Sequence, residues 1–279
     1  FIAGALSAAA LLDSPKVRRL AYKLYREMDF WAMMTDGGTK PNSRTLTMGW
    51  EPETGYLIPR WDSYAEHLLL LILGLGHPEH PLPPETWTEF TRAKDSSGLL
   101  GGNLPLFVHQ YSQLFIDFRK MSHSKEDIFR NSVAAHRLHR DLARANGGIS
   151  YTYQAGFWGL SAGDSLNGYQ AFSPEYSDGT VCPGCAGASA MFLGDSVVEE
   201  MQSWAEGPFG NALWGKYGFG DGLNLDHNWV GEDAIGITVG ALYLSLANMG
   251  DGDHPFNGLF SNIPEVAQGM ARARQALNQ

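Results

Sequence analysis

The chain opens on an apolar run, Phe1 to Leu12, at helical spacing and with no Ser, Thr or Asp cap ahead of it. Such a start reads as a cut inside a helix of a longer protein, with part of the fold preceding Phe1. Ser14-Pro15 predicts a second helix, with Pro at its first position. Val17, Leu20, Leu24, Met28 and Trp31 fall on one face of it, up to Asp36-Gly37-Gly38. Residues 39–60 mix Thr, Gly and Pro with short apolar alternation and predict a loop or hairpin around Trp50, Glu51, Pro52 and Gly55. Asp62 or Ser63 is placed to cap a helix through Gly76, and Leu68–Leu73 is apolar on every face, which predicts burial all round. Beyond the His77-Pro78 break, helices are expected from Pro83-Pro84 to Arg92, Leu106 to Phe118, Lys125 to Asn146, Asp195 to Glu206, Ala234 to Met249 and Pro264 to Leu277. Ser96 to Gly102 reads as a Ser/Gly link.

Periodicity fades from Gly147 to Gly194 and again from Phe209 to Asn228, where Gly, Ser, Tyr, Trp and Asp dominate. Loops this long in a compact domain are usually functional or disordered. The aromatics between Tyr151 and Tyr176 argue against disorder. The pattern gives about eight helices, no convincing strand pairs and no repeat of ~20–50 residues. It predicts an all-α fold whose aromatic loops gather on one face.

Composition narrows the ligand. A length of 279 residues allows one large domain or two small ones. The net charge of −10, with no Lys/Arg stripe, argues against nucleic acid. Charged residues are only 18% of the chain, while Gly is 33 residues and Trp 8, a profile that suits a neutral, polar ligand. No apolar stretch reaches the ~18 residues of a membrane span. No basic segment precedes the apolar start, so no signal peptide is expected within these residues. Cys182 and Cys185 form a C-P-G-C tetrapeptide without a second ligand pair, and read as two loop cysteines, free or locally bridged. His77 and His80 are separated by Pro78, and His136 and His139 sit beside Arg137 and Arg140 on a helix taken as solvated, so no metal or other cofactor is expected.

Four clusters are candidates for chemistry. In Arg60-Trp61-Asp62-Ser63-Tyr64-Ala65-Glu66, Asp62 and Glu66 share a helix face, and Glu66 leads into the buried run. A carboxyl there is desolvated and suited to donate a proton. The alternative is that Asp62 caps the helix and Glu66 pairs with Arg60. His109-Gln110-Tyr111-Ser112, followed by Arg119, places several donors in an apolar helix, as a ligand-facing patch or as satisfied core groups. Trp158 to Asp164, with Asn167, Tyr169 and Asp178, is a small-residue loop in which aromatic rings can stack on sugar, or a set of ordinary turns. Trp214 to Asn224, with Trp229 beyond, presents Asp221 between glycines as if at a cleft. Carboxylates, Trp and Tyr platforms and amide donors without a phosphate site point to carbohydrate.

The series TLTMGWEPETGY, PRWDSYAEHLLL, LFVHQYSQLFIDFR, WGLSAGDSLNGY, DGTV, LWGKYGFGDGLN and IGITVG resembles the bacterial endo-β-1,2-glucanase family, glycoside hydrolase family 144, and its glycoamylase-like relatives. The motifs run in order from about Leu46 to Gly240, most of the chain. The resemblance implies a single (α/α)6-barrel domain over residues 1–279, of twelve helices when complete and here lacking its N-terminal ones. It implies anomer-inverting hydrolysis of β-1,2-glucan to sophoro-oligosaccharides in bacteria that secrete or export the enzyme to the periplasm. Glu66 falls on the Glu of the R-W-D-x-Y-x-E segment, Asp221 on the Asp of Y-G-F-x-D and Asp164 on the Asp of the S-A-x-D loop. These are the implied catalytic residues, Glu66 as acid and Asp221 or Asp164 on the water side. Arg60, Trp61, Asp62, His109, Gln110, Tyr111, Arg119, Trp158, Tyr169, Trp214, Tyr217 and Trp229 are the implied substrate contacts. A further family acid would precede Phe1, on a separate N-terminal segment that completes the barrel. The family's G-I-D-Q-G is Gly236-Ile237-Thr238-Val239-Gly240 here, and its Y-G-F-V-D-A-F-N is Y-G-F-G-D-G-L-N. Inverting carboxyls stand about 6.5–9.5 Å apart, retaining ones about 5–5.5 Å. The expected partner is a β-glucan, not nucleic acid or membrane. A glycan-binding relative without turnover, or a transglycosylase or hydrolase for another β-glucan, is the alternative.

Overall fold

The structure is a computed structural model that describes residues 1–121, 127–249 and 255–278. The protein is helix-rich and folds as two compact units. One comprises Phe1–Ala93, Phe115–Asp127 and Asn257–Gln279, the other Lys94–Leu114 and Ile128–Phe256.

In the first unit the helix Ile2–Leu11 packs on the helix Pro15–Arg26. Ser14 caps the latter by accepting from the Val17 amide, and Pro15 occupies its first position, as the sequence predicts. The predicted continuation to Trp31 is broken. Asp29 accepts from the Ala32 amide at 2.8 Å and starts a new helix, Phe30–Thr35, which Asp36 ends in the left-handed region. The buried face of Pro15–Arg26 is also rotated from the predicted one. Ala21 and Tyr25 are buried while Leu20 and Leu24 are exposed, because the Tyr25 hydroxyl finds a buried acceptor, Leu73 O, at 2.6 Å.

The all-apolar helix is Leu68–Leu75. It starts only at Leu68 because residues 62–64 are extended and bonded to Thr91, whose amide donates to Asp62 O at 2.7 Å and whose carbonyl accepts from Tyr64. Neither Asp62 nor Ser63 caps it. Its partner is the helix Pro264–Leu277. A Cβ on Gly269 would stand 2.1 Å from Ile72 O, and one on Gly76 would stand 1.9 Å from Glu265 O. The two helices therefore cross backbone against backbone.

The second unit holds Ile128–Ala145, Asp195–Glu206, Gly236–Ala247 and nearly all of Leu106–Phe115. The predicted start of the first of these helices, Lys125, lies outside the described residues. Phe157, Trp158, Val181, Val197, Trp204, Phe219 and Leu223 belong to its apolar core. The loops expected without strands contain three antiparallel hairpins, Ala162–Gly163 with Gln170–Ala171, Trp214–Gly215 with Gly218–Phe219, and Leu223–Asn224 with Trp229–Val230. A fourth, Trp50–Glu51 with Gly55–Tyr56, realises the hairpin expected in the first unit. Strands of two residues are too short to show alternation. Among the described residues no helix is long and apolar enough to cross a membrane.

His136 and His139 are buried, not solvated. On Ile128–Ala145 they join Ile128, Ser132, Ala135 and Ala143 in one inward stripe. His109 lies against them, its Nε2 2.8 Å from Gly101 O, and His136 stacks on Phe192 at 4.1 Å. Burial holds His109 and His139 at a pKa of about 4 and His136 well below its ordinary value. Since the unfolded chain titrates near 6.5, it binds more protons than the folded one between those values. The stability these neutral rings contribute is thus complete above pH ~6.5 and lost as pH falls through about 4. Urea midpoints should fall across this window, and a His136→Phe variant should flatten the fall; an identical pH profile in that variant would count against the account.

Candidate active site

The main chain around Asp221 is held between two hairpins of the second unit by backbone hydrogen bonds. The Asp221 amide donates to Asp233 O at 2.8 Å, Gly231 N donates to Gly222 O at 2.8 Å, and Leu223 exchanges two 2.9 Å bonds with Val181. A Cβ on Gly222 would stand 2.1 Å from Asp164 O and 2.8 Å from the Trp229 ring. The glycine beside Asp221 therefore serves close backbone approach, and Asp221 is only 1% exposed, contrary to the exposure its Gly flanks suggested.

The Asp221 carboxylate accepts the Asp164 amide on Oδ2 at 2.9 Å. Its buried Oδ1 has no complete hydrogen bond among the described residues. Burial raises the Asp221 pKa, and the charges of Asp164 and Asp233 add to the rise. The Thr238 hydroxyl and the Asp164 amide offset part of it. A carboxyl so placed keeps its proton to higher pH than an ordinary Asp. Tyr169 is 55% exposed, and after burial the Asp221 and Asp164 charges raise its own pKa. Trp229 lies half-buried against Gly222. Trp214 and Tyr217 are exposed on the neighbouring hairpin, where Trp214 meets Phe219 edge-on at 4.7 Å.

The structure thus brings together Asp164, Asp221, Tyr169 and Trp229. It adds Asp233 and Thr238, neither of which sequence reasoning proposed for the site. Thr238 had a signal, since it stands at a changed position of the G-I-T-V-G segment. Other candidates of this unit bond to other parts of the protein, His109 and Gln110 from buried positions and Tyr111 at the surface. His109 bonds Gly101 O, Gln110 donates to Cys185 O at 2.9 Å, and the Tyr111 hydroxyl donates to Ile237 O at 3.1 Å. Trp158 is buried in the core and donates to Glu200 at 2.9 Å.

Within the first unit, Arg60 pairs with Asp36 at 2.6 Å rather than with Glu66, and also donates to Met34 O, Ser43 and Thr45. It ties the residue 36–45 loop to the strand before Glu66. Arg119 pairs with Asp117 at 2.7 Å. Trp61 stacks on buried His67 with ring centres 5.2 Å apart, and Asp62 is exposed. Glu66 is half-buried. Burial raises its pKa, and a bond from its own backbone amide lowers it in part. Among the described residues no group of three or more metal-ligating side chains is arranged to hold an ion.

A helical scaffold that carries a buried carboxylate among aromatic hairpins is a protein of glycoamylase-like fold, as its structural neighbours are. The model of the Glycoamylase family, described as glucoamylase, matches residues 59–253, and the chain belongs to that family. A curated relative, the exo β-1,2-glucooligosaccharide sophorohydrolase (non-reducing end) of Parabacteroides distasonis, is 24% identical over 83% of this chain and 36% of its own length. The chain therefore spans little more than a third of that relative. Aspergillopepsin-1 of Aspergillus oryzae is 28% identical over 63% of this chain and 46% of its own length. The crystal structure of β-1,2-glucanase from Parabacteroides distasonis superposes with a TM-score of 0.86 at 22% identity, covering 98% of this chain and 44% of that one. Endo-β-1,2-glucanase from Chitinophaga pinensis, in complex with sophorotriose and glucose, superposes with a TM-score of 0.82 at 22% identity, covering 98% and 69%.

If the Asp164 charge helps to hold the Asp221 proton, Asp164→Asn should lower the Asp221 pKa while keeping the backbone bond between them. Carboxyl carbon chemical shifts followed through a pH titration measure this, and an unchanged or raised value would refute it.

Proposed function

We propose that the protein is a glycoside hydrolase that cleaves β-1,2-glucan to sophoro-oligosaccharides with inversion at the anomeric carbon. The observation that carries this reading is the buried Asp221 carboxylate, bonded to the Asp164 amide, with Trp229 against the next residue, Gly222, and Tyr169 within reach of its charge. The named activities of the Parabacteroides and Chitinophaga proteins supply the linkage. Aromatic faces suit sugar rings. The same likeness supports one (α/α)6-barrel domain. The disulfide between Cys182 and Cys185 suits an oxidising compartment, so periplasmic or secreted placement is part of the proposal.

In the proposed mechanism Glu66 is the general acid. Its half-buried carboxyl keeps a proton that it gives to the glycosidic oxygen as the bond to the anomeric carbon breaks. For Asp221, with Asp164 beside it, the proposed role is to take the proton of the attacking water. Tyr169, Trp229, Trp214 and Tyr217 hold the sugar rings. Two close carboxyls that share one proton are a different arrangement. Here Asp164 offers Asp221 its backbone amide instead.

Glu66→Gln should lower turnover of linear β-1,2-glucan by about a hundredfold or more, and the wild type should release the inverted anomer first. Wild-type rates in the variant would remove Glu66 from the mechanism. Binding of the glucan without any product would replace hydrolysis by a glycan-binding role.

A further inference from the structure

The C-P-G-C turn takes no part in the chemistry above, yet it touches each segment that builds the Asp164–Asp221 pair. Cys182 and Cys185 are bonded to each other and buried. The residue before them, Val181, exchanges both its backbone hydrogen bonds with Leu223, just past Asp221. The Cys182 amide donates at 2.9 Å to Gly159 O, in the segment that runs on to Asp164. The Cys185 sulfur lies 3.8 Å from Ala162 O, on the strand that ends at Gly163. A Cβ on Gly184 would stand 2.7 Å from the Thr238 methyl, and Thr238 borders the Asp221 carboxylate. From below, Gln110 holds Cys185 O at 2.9 Å.

We propose that the Cys182–Cys185 disulfide is a positioning element for the Asp164–Asp221 pair, fixing the turn on which both acidic loops and Thr238 rest. The bridge closes a loop with a sequence separation of 3, so its loop-closure contribution to stability is small. Its effect is local. Two free thiols cannot remain at bonding distance, and in a close-packed interior the turn must shift its neighbours to separate them. A dithiol reductant supplies two electrons and two protons, leaves both cysteines as thiols and closes to its own disulfide. The two loops then lose their common support, and water gains access to the Asp221 carboxyl. The structural part of this inference stands on the contacts alone, and only its kinetic consequence rests on the proposed hydrolysis.

The whole protein is compared oxidised, reduced with dithiothreitol, and as the Cys182→Ala, Cys185→Ala double variant. Reduction should leave the far-ultraviolet circular dichroism unchanged and speed hydrogen exchange of the Asp164 amide by about tenfold or more. The Asp221 pKa, read by carboxyl carbon shifts, should fall towards that of an ordinary Asp as water replaces protein around it. On β-1,2-glucan, kcat should drop about tenfold with KM changed less than about threefold, and the acid limb of its pH profile should move to lower pH. The double variant should match the reduced protein and ignore the reductant. Unchanged Asp164 exchange and Asp221 titration in both the reduced protein and the variant would overturn the proposal. So would loss of the helical signal in either, which would make the bridge a support of the fold rather than of the site. Inactivity of the oxidised protein on every β-glucan would overturn the hydrolase reading, while exchange and titration still decide the role of the bridge.

Discussion

The bond from the Asp164 amide to the Asp221 carboxylate is the constraint around which the loops of the second unit are arranged. A carboxylate almost wholly buried, with one oxygen bonded and the other lacking a complete bond, is costly to keep charged. That cost is what raises its proton affinity, and it persists only if the surrounding backbone is not free to relax and hydrate the group. Two features prevent relaxation. Gly222 lets three chain segments, those of Asp164, Asp221 and Trp229, meet without a side chain between them. Leu223 and Val181 then lock the following residue into a paired ladder.

Glu66 and Asp221 both hold protons more tightly than usual, for different reasons. Burial acts first on Glu66, and its own amide opposes it in part. Burial acts first on Asp221 too, but the charges of Asp164 and Asp233 push the same way. Glu66 is therefore tuned by packing, and Asp221 by packing together with the ionisation of its neighbours. In the proposed hydrolysis this separates the two roles. A base beside other carboxylates gains proton affinity when they are ionised, and Asp221 is in that setting.

Where local chemistry alone decides structure, the sequence was legible. Ser14-Pro15 starts a helix because a cap and a missing N–H suit that position, and Leu68–Leu75 is buried because no face of it is polar. Where distant partners decide, the reading missed. Asp62 had the right chemistry for a cap, but Thr91 draws its backbone into an extended pairing. The buried stripe of His136 and His139 was hidden by the arginines interleaved with it. Hairpins with two-residue strands carry no periodic signal. Asp221 was singled out, but its glycines were read as a sign of exposure when they signal backbone contact. Trp158 looked like a sugar platform until its indole N–H proved to have a buried-side partner in Glu200.

Short strands supply few hydrogen bonds of their own, so loops this long need anchors in the helices. The Leu106–Phe115 helix provides them, one side chain to a segment. His109 holds the Gly101 turn, Gln110 the Cys185 turn and Tyr111 the start of the helix that carries Thr238. At its N-terminus the Leu106 amide donates to Leu160 O and the Phe107 amide to the Ser161 hydroxyl, on the way to Asp164. Consecutive polar residues inside an apolar helix therefore do not mark a surface turned to a ligand here. They mark a helix whose burial would be costly unless each donor met a loop, and each loop so met lies beside Asp164, Asp221 or Thr238, or leads into the helix itself. The polarity that suggests binding in the sequence is in the structure what keeps the binding loops in place.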